Sequence, residues 1–366
     1  VSIRKVIISG GGTGGHIYPA VAIANAFKEK DSQVQILFVG AEGKMEMEKV
    51  PKAGFDIVGL PIVGINRAHL WKNILFPFKL IKSLFKAFAI LKSFKPDVVI
   101  GVGGYASGPT LIGAWLRKIP FFIQEQNSYA GITNKVLGPK AKHIFVAYPH
   151  MSKFFPNEKI TITGNPVRKD LMDLSGKKEK ASLFFKLNER VPTILVLGGS
   201  QGARSINLAI LGGLEAFQKA GIQIIWQTGI NFEPLAQAAV GKFTGLPSYV
   251  SAFIYEMDLA YSMADLVISR AGALSVSEIC LVGKPSLLVP FPHASEDHQT
   301  ENAKSLVMEN AAILIPDKNA KESLVSGAIK TLDDKNLLAK LAENSFSMGK
   351  PKAAQQIVAI IKEQCK

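Results

Sequence analysis

One pattern constrains this chain more than any other. Short runs rich in Val and Ile alternate with longer helical stretches, and several of the runs end in a glycine-rich turn. That order predicts parallel α/β architecture, because adjacent parallel strands must be joined by a crossover long enough to hold a helix. In the first half, strands are expected at Val6–Ser9, Gln35–Val39, Val98–Val102, Phe121–Gln124 and Ile144–Ala147. The second half restarts with Thr193–Leu197, Ile222–Gln227, Tyr249–Ala252, Leu266–Ser269 and Ser286–Val289. Between them, Gly164-Asn-Pro-Val-Arg168 and the polar stretch Asp173–Glu179 mark a boundary, since Pro166 stiffens the connection and a glycine lets it turn. The expected domains are 1–163 and 167–349, both Rossmann-like, with a last helix over 352–366 packing back on the first; 366 residues suffice for two domains.

Charge is unevenly shared. The formal net charge is +14, and residues 1–165 hold 21 Lys/Arg against 9 Asp/Glu, while residues 166–366 hold 22 against 20. Seven bases and no acid lie between Asp56 and Asp97: Arg67, Lys72, Lys79, Lys82, Lys86, Lys92 and Lys95. Apolar residues interleave with them, Leu70, Trp71, Leu75, Phe78 and Phe85 among them. Such a balance calls for an anionic partner: nucleic acid, acidic lipid or a phosphorylated substrate. No apolar run reaches the length that spans a bilayer, and the amino-terminal residues lack a signal-peptide pattern, so a soluble or peripheral, non-exported protein is expected. Two cysteines, Cys280 and Cys365, exclude a disulfide framework and fit a reducing compartment.

Three glycine turns follow strands. In Gly10-Gly-Gly-Thr-Gly-Gly15-His16, the spacing Gly10-x-Gly12-x-x-Gly15 matches the dinucleotide fingerprint in a strand–turn–helix context. The acid that would hold an NAD ribose at the end of the second strand is missing, Glu42 being the nearest. A tight turn without a ligand is the plain alternative, but five glycines in six positions exceed what packing needs. His16 is either a structural histidine or, at the carboxyl end of a strand where open α/β sheets bind ligands, a general base. Gly101-Val-Gly-Gly-Tyr-Ala-Ser-Gly108 and Gly198-Gly-Ser-Gln-Gly-Ala203 repeat the arrangement, and Ser200 suits a diphosphate. Ser269-Arg-Ala-Gly-Ala-Leu-Ser-Val-Ser-Glu278 offers a helix start for an anion, with Glu278 either a ribose acceptor or an ordinary helix charge. His293 and His298 stand five apart in a loop with no thiolate nearby, which disfavours zinc, and no Asp-x-Asp is present to carry a divalent ion.

Taken in order, the glycine loop ending in His16, Gly103-Gly-Tyr-Ala-Ser-Gly-Pro109, Glu125-Gln-Asn127 with Ala130-Gly131, Gly164-Asn-Pro-Val-Arg168, Gly198 to Ala203 and Arg270 to Glu278 resemble the MurG family. These are bacterial GlcNAc transferases of glycosyltransferase family 28, and the resemblance covers essentially the whole chain. It implies a GT-B fold, two Rossmann-like parallel-sheet domains facing a deep cleft, working without metal or cofactor. It further implies inverting transfer of GlcNAc from UDP-GlcNAc to the C4 hydroxyl of undecaprenyl-diphospho-MurNAc-pentapeptide in peptidoglycan synthesis. By the same resemblance His16, and second to it Glu125, would be the base. Thr13, Gly14, Gly15, Asn127, Arg168, Ser200, Ile254, Ala273, Leu274, Ser275, Val276, Ser277, Glu278 and Gln299 would bind UDP-GlcNAc. Gly12, Gly103, Gly104 and Tyr105 would meet the acceptor. The family's His-Glu-Gln-Asn reads Gln124-Glu-Gln-Asn127 here, removing one imidazole, and its paired glutamines read His298-Gln299.

The basic segment then finds a partner in the anionic inner leaflet that carries the acceptor lipid, with Leu70, Trp71, Lys72, Leu75, Phe78, Lys79, Lys82 and Phe85 as the docking face. The implied location is the cytoplasmic face of the cell membrane, with cell-wall synthesis and division proteins as partners and nucleic acid excluded. Two other classes compete: an NAD(P)-dependent oxidoreductase, resting on the first glycine loop, and a non-enzymatic basic membrane- or nucleic-acid-binding module, which leaves the near-neutral second half unexplained.

Overall fold

A computed structural model describes residues 3–64, 74, 76–199, 201–243, 245, 247–294 and 297–365. The chain divides into two compact units, Val1–Arg168 with Lys350–Lys366, and Lys169–Gly349. In the first, β1 (Lys5–Ser9), α1 (Gly14–Lys30), β2 (Gln35–Ala41), α2 (Glu46–Lys52), β3 (Asp56–Leu60), α3 (Phe76–Phe94), β4 (Val98–Gly101), α4 (Ser107–Leu116), β5 (Phe121–Glu125), α5 (Ile132–Leu137), β6 (His143–Val146) and β7 (Ile160–Ile162) follow one another. The second contains α6 (Lys177–Phe185), β8 (Thr193–Leu197), α7 (Arg204–Lys219), β9 (Gln223–Gln227), α8 (Glu233–Val240), β10 (Ser248–Ser251), α9 (Met257–Met263), β11 (Leu266–Ser269), α10 (Ala273–Leu281), β12 (Ser286–Leu288), α11 (His298–Met308), β13 (Ile313–Leu314), α12 (Ala320–Asp333) and α13 (Lys335–Ser347). The last helix, α14 (Ala353–Gln364), belongs to the first unit.

Both sheets are parallel throughout. Their orders are β3-β2-β1-β4-β5-β6-β7 and β10-β9-β8-β11-β12-β13. In each, the order reverses beside the first strand of the unit, β1 or β8, and such a switch point is where doubly wound sheets bind ligands. Apolar runs form these strands because both faces are covered. Along β1, Val6 and Ile8 enter one core cluster while Ile7 enters the other, the alternation expected of a strand. Helix α1 covers the first face with Ile17, Ala20, Ile23, Ala24 and Phe27. Ile357, Val358 and Ile361 of α14 join that same cluster, fully buried, and contribute roughly 1.5–3 kcal/mol each.

Three strands absent from the sequence reading, β3, β7 and β13, are all sheet edges. An edge strand needs contact on one side only, so it can be short and mixed in composition. Cys280 is buried, and burial pushes its thiol up to about 11, which makes it a packing residue.

Candidate functional site

The carboxyl end of β1 opens into the first glycine loop. Gly12 adopts φ +89°, and a Cβ at Gly11 would meet the Glu46 carboxylate at 2.2 Å. Glu46 is itself buried, accepting the Gly12 N–H at 2.9 Å and the Ala41 N–H at 3.0 Å. This residue, missed by the sequence reading, shapes the loop from beneath. It also commits the Gly12 N–H inward. Pro19, inside α1, has no N–H to return to the Gly15 carbonyl, which loosens the first helical turn.

The second loop packs directly on the first. At Gly104, φ is +78° and a Cβ would lie 2.4 Å from the Gly11 carbonyl oxygen, so glycine is required for the two backbones to meet. Tyr105 turns its ring toward Gly12, and burial, reinforced by the Glu46 carboxylate, pushes its hydroxyl above the usual range. It is therefore a neutral donor. His16 is half-buried on α1; its Nδ1 lies 3.1 Å from the exposed Thr13 Oγ1, and its Nε2 side faces Gly103, where a Cβ would come within 3.0 Å of that nitrogen.

The third contributor is the end of β5. Glu125 is 2% exposed and accepts four hydrogen bonds: from Asn127 N (3.1 Å), Asn127 Nδ2 (3.3 Å), Gly131 N (3.0 Å) and Asn134 Nδ2 (2.8 Å). A buried carboxylate saturated in this way holds the 125–134 loop in shape, and the geometry suits that task, not proton transfer. Asn127 is fixed by the same carboxylate. Gln124, which stands where the family has a histidine, is wholly buried, donating to Asn165 Oδ1 at 3.0 Å and accepting from Gln126 Nε2. Asn165 in turn donates to the Gln126 carbonyl at 3.0 Å, which ties Gly164–Arg168 to β5. The Arg168 guanidinium lies 5.3 Å over the Tyr18 ring.

In the second unit, α10 begins at Ala273 and carries Leu274, Ser275, Val276, Ser277 and Glu278 in its first two turns. Ala273 and Val276 are buried; Leu274, Ser275 and Ser277 are half-buried, and the Ser277 hydroxyl donates to the Ala273 carbonyl at 2.8 Å. Glu278 is buried beside Tyr261, whose hydroxyl is 3.4 Å from Oε2. Ile254 is buried, and its N–H is given to Gln227 Oε1 at 3.0 Å. Gln227 also donates to the Gly199 carbonyl at 3.0 Å, linking that turn to the Gly198–Ala203 loop. Gln299, on α11, accepts from the Phe291 N–H at 3.0 Å. Ser200 lies outside the described residues, as do Leu70, Trp71, Lys72 and Leu75.

Arg270 is a second residue that sequence reasoning left without a role. Its guanidinium donates to the Val289 and Pro290 carbonyls (3.0 and 3.1 Å), to Asp317 Oδ1 (2.5 Å) and to Ser205 Oγ (2.9 Å). It thereby staples together the carboxyl-end segments after β8, β12 and β13. Glu46 and Gln227 fall in no motif, and Arg270, although it opens the Arg270–Glu278 motif, bonds to segments that its own stretch does not reveal.

Family models for the Glycosyltransferase family 28 N-terminal and C-terminal domains match residues 6–146 and 193–357. A UDP-N-acetylglucosamine--N-acetylmuramyl-(pentapeptide) pyrophosphoryl-undecaprenol N-acetylglucosamine transferase of Parabacteroides distasonis is 53% identical over 97% of this chain and 96% of its own length. The enzyme of that name from Bacteroides fragilis is 51% identical over 99% of this chain and 95% of its own. Among solved structures, MurG of Acinetobacter baumannii superposes with a TM-score of 0.77 at 30% identity, covering 98% of this chain and 99% of that one. With both of its units matched and relatives of this likeness along nearly its whole length, the chain belongs to the MurG family of glycosyltransferase family 28, GT-B enzymes that transfer sugars.

Proposed function

We propose that this chain transfers GlcNAc from UDP-GlcNAc to the C4 hydroxyl of undecaprenyl-diphospho-MurNAc-pentapeptide, with inversion at the anomeric carbon. The observation that carries the reading is His16 held by Thr13 at the ligand end of β1, beside two interlocked glycine loops, in a chain half identical to transferases of that name. In the reaction the C4 oxygen attacks the anomeric carbon of GlcNAc. The bond from that carbon to the diphosphate breaks, and UDP leaves with the electron pair. The hydroxyl proton passes to His16 Nε2, the ring nitrogen turned away from Thr13. The second unit takes UDP-GlcNAc: the Ile254 carbonyl meets the base, Glu278 the ribose, and the N–H groups at Ala273–Ser275 and the Gly198–Ala203 loop the diphosphate. Gln299 contacts the sugar through its amide. Calorimetric titration should show binding of UDP and none of NADH, and UDP release from UDP-GlcNAc should depend on the lipid acceptor; NADH binding without UDP binding would overturn the reading.

Residue exposure on α3 supports a membrane-docking role. Ser83, Ala87 and Leu91 face inward, while Phe78, Ile81 and Phe85 are 71%, 52% and 74% exposed at helical spacing, with Lys79 and Lys82 beside them. Among the described residues no helix is long and apolar enough to cross a membrane. Docking at the surface of the leaflet that carries the acceptor meets the need instead, each basic residue contributing about 1 kcal/mol. Lys79→Glu with Lys82→Glu should weaken co-sedimentation with anionic liposomes by more than tenfold, and added salt should do the same to the parent. Binding indifferent to both changes would remove α3 from the docking surface.

A further inference from the structure

Gln126 is 2% exposed, and its side chain is oriented by its own hydrogen bonds. Nε2 donates to the Val102 carbonyl at 2.7 Å and to Gln124 Oε1. Turning the amide over would set its oxygen against those two acceptors, so the orientation is fixed. The consequence is that Oε1 is buried without a hydrogen-bond partner among the described residues. A buried amide oxygen left this way is costly unless a bound molecule satisfies it. Its position says which molecule. A Cβ at Gly103 would lie 3.5 Å from Gln126 Oε1 and 3.0 Å from His16 Nε2, so the two atoms converge on one point of the second glycine loop.

Resting on the function proposed above, this convergence has a chemical reading. His16 Nε2 receives the C4 hydroxyl of the acceptor, so an acceptor-only oxygen beside it must take a donor close to C4 on the same sugar. On a muramoyl ring the C3 oxygen is an ether and has no proton to give. The nearest remaining hydroxyl is that on C6. We propose that Gln126 is a specificity-determining residue whose Oε1 accepts the C6 hydroxyl of the acceptor sugar, and so sets the C4 hydroxyl against His16. The Gln124–Gln126–Asn165 network is the support that keeps this amide in place.

The test uses the full chain, UDP-GlcNAc and two lipid acceptors, one complete and one lacking the C6 hydroxyl. The parent enzyme should lose about 10- to 100-fold in kcat/KM on the 6-deoxy acceptor, because the amide oxygen is then left unpaired. Gln126→Met should lower kcat/KM on the complete acceptor and bring the ratio between the two acceptors close to one. Equal turnover of both acceptors by the parent enzyme would overturn the inference while leaving the proposed function standing. Discrimination undiminished in Gln126→Met would also overturn it. Failure to turn over even the complete acceptor would remove the proposed function and this inference with it. The parent enzyme's comparison of acceptors does not depend on whether the variant folds.

Discussion

Replacing His16 by alanine is expected to lower kcat by about 10²–10⁴-fold with both substrates saturating, the span of general base catalysis, while UDP binding stays unchanged. The expectation follows from where the ring sits. Thr13 holds Nδ1, and the opposite nitrogen faces the Gly103 backbone at the ligand end of the sheet. The buried carboxylate nearest in sequence logic, Glu125, has its oxygens committed to four donors, so it is poorly placed to take over the proton. Steady-state kinetics on His16→Ala separates the alternatives. A fall in kcat with little change in either KM supports the base assignment, whereas near-normal turnover would leave His16 a structural residue.

The second large effect concerns the second unit. Arg270→Ala should destabilise that unit by about 3–5 kcal/mol, because it removes four hydrogen bonds at once and leaves the mostly buried Asp317 carboxylate without its cation, the Ser205 hydroxyl remaining on it. The pair is mostly buried, with side chains 13% and 22% exposed, so solvent screens it little. Arg270→Lys keeps the charge but not the planar fork that reaches several acceptors, and should recover only part of the loss. Because the stapled segments include the start of α7, directly after the Gly198–Ala203 loop proposed to hold the diphosphate, and the Phe291 turn, the KM for UDP-GlcNAc should rise more than the KM for the acceptor. Urea unfolding of the intact chain checks the stability claim. A loss under about 1 kcal/mol, with both KM values unmoved, would show that Arg270 holds nothing together.

Much of the architecture was legible because parallel sheets bury both strand faces, leaving runs such as Val6–Ile8 and Ile194–Leu197 that are hard to read otherwise. The edge strands β3, β7 and β13 were not legible, since one-sided packing places fewer demands on composition. Glycine loops were readable as loops, but not the reasons behind individual glycines. Gly104 is required by the Gly11 backbone, more than ninety residues away in sequence, and Gly11 by the side chain of Glu46. Supporting residues were the least visible. Glu46, Gln227 and Arg270 bond chiefly to partners distant in sequence, and that kind of partnership leaves no local pattern. The basic segment was visible as charge from the start, yet only residue exposure on α3 separates Phe78 and Phe85, turned outward, from Ala87 and Leu91, turned into the core.

The most direct test of the proposed transfer is the structure of the product. The enzyme would be incubated with UDP-GlcNAc and undecaprenyl-diphospho-MurNAc-pentapeptide, and the lipid product analysed by mass spectrometry and by proton NMR of the anomeric centre. One added GlcNAc residue in a β-1,4 linkage is expected, with one UDP released for each. Free GlcNAc with no lipid-linked disaccharide, or an α linkage, would contradict it.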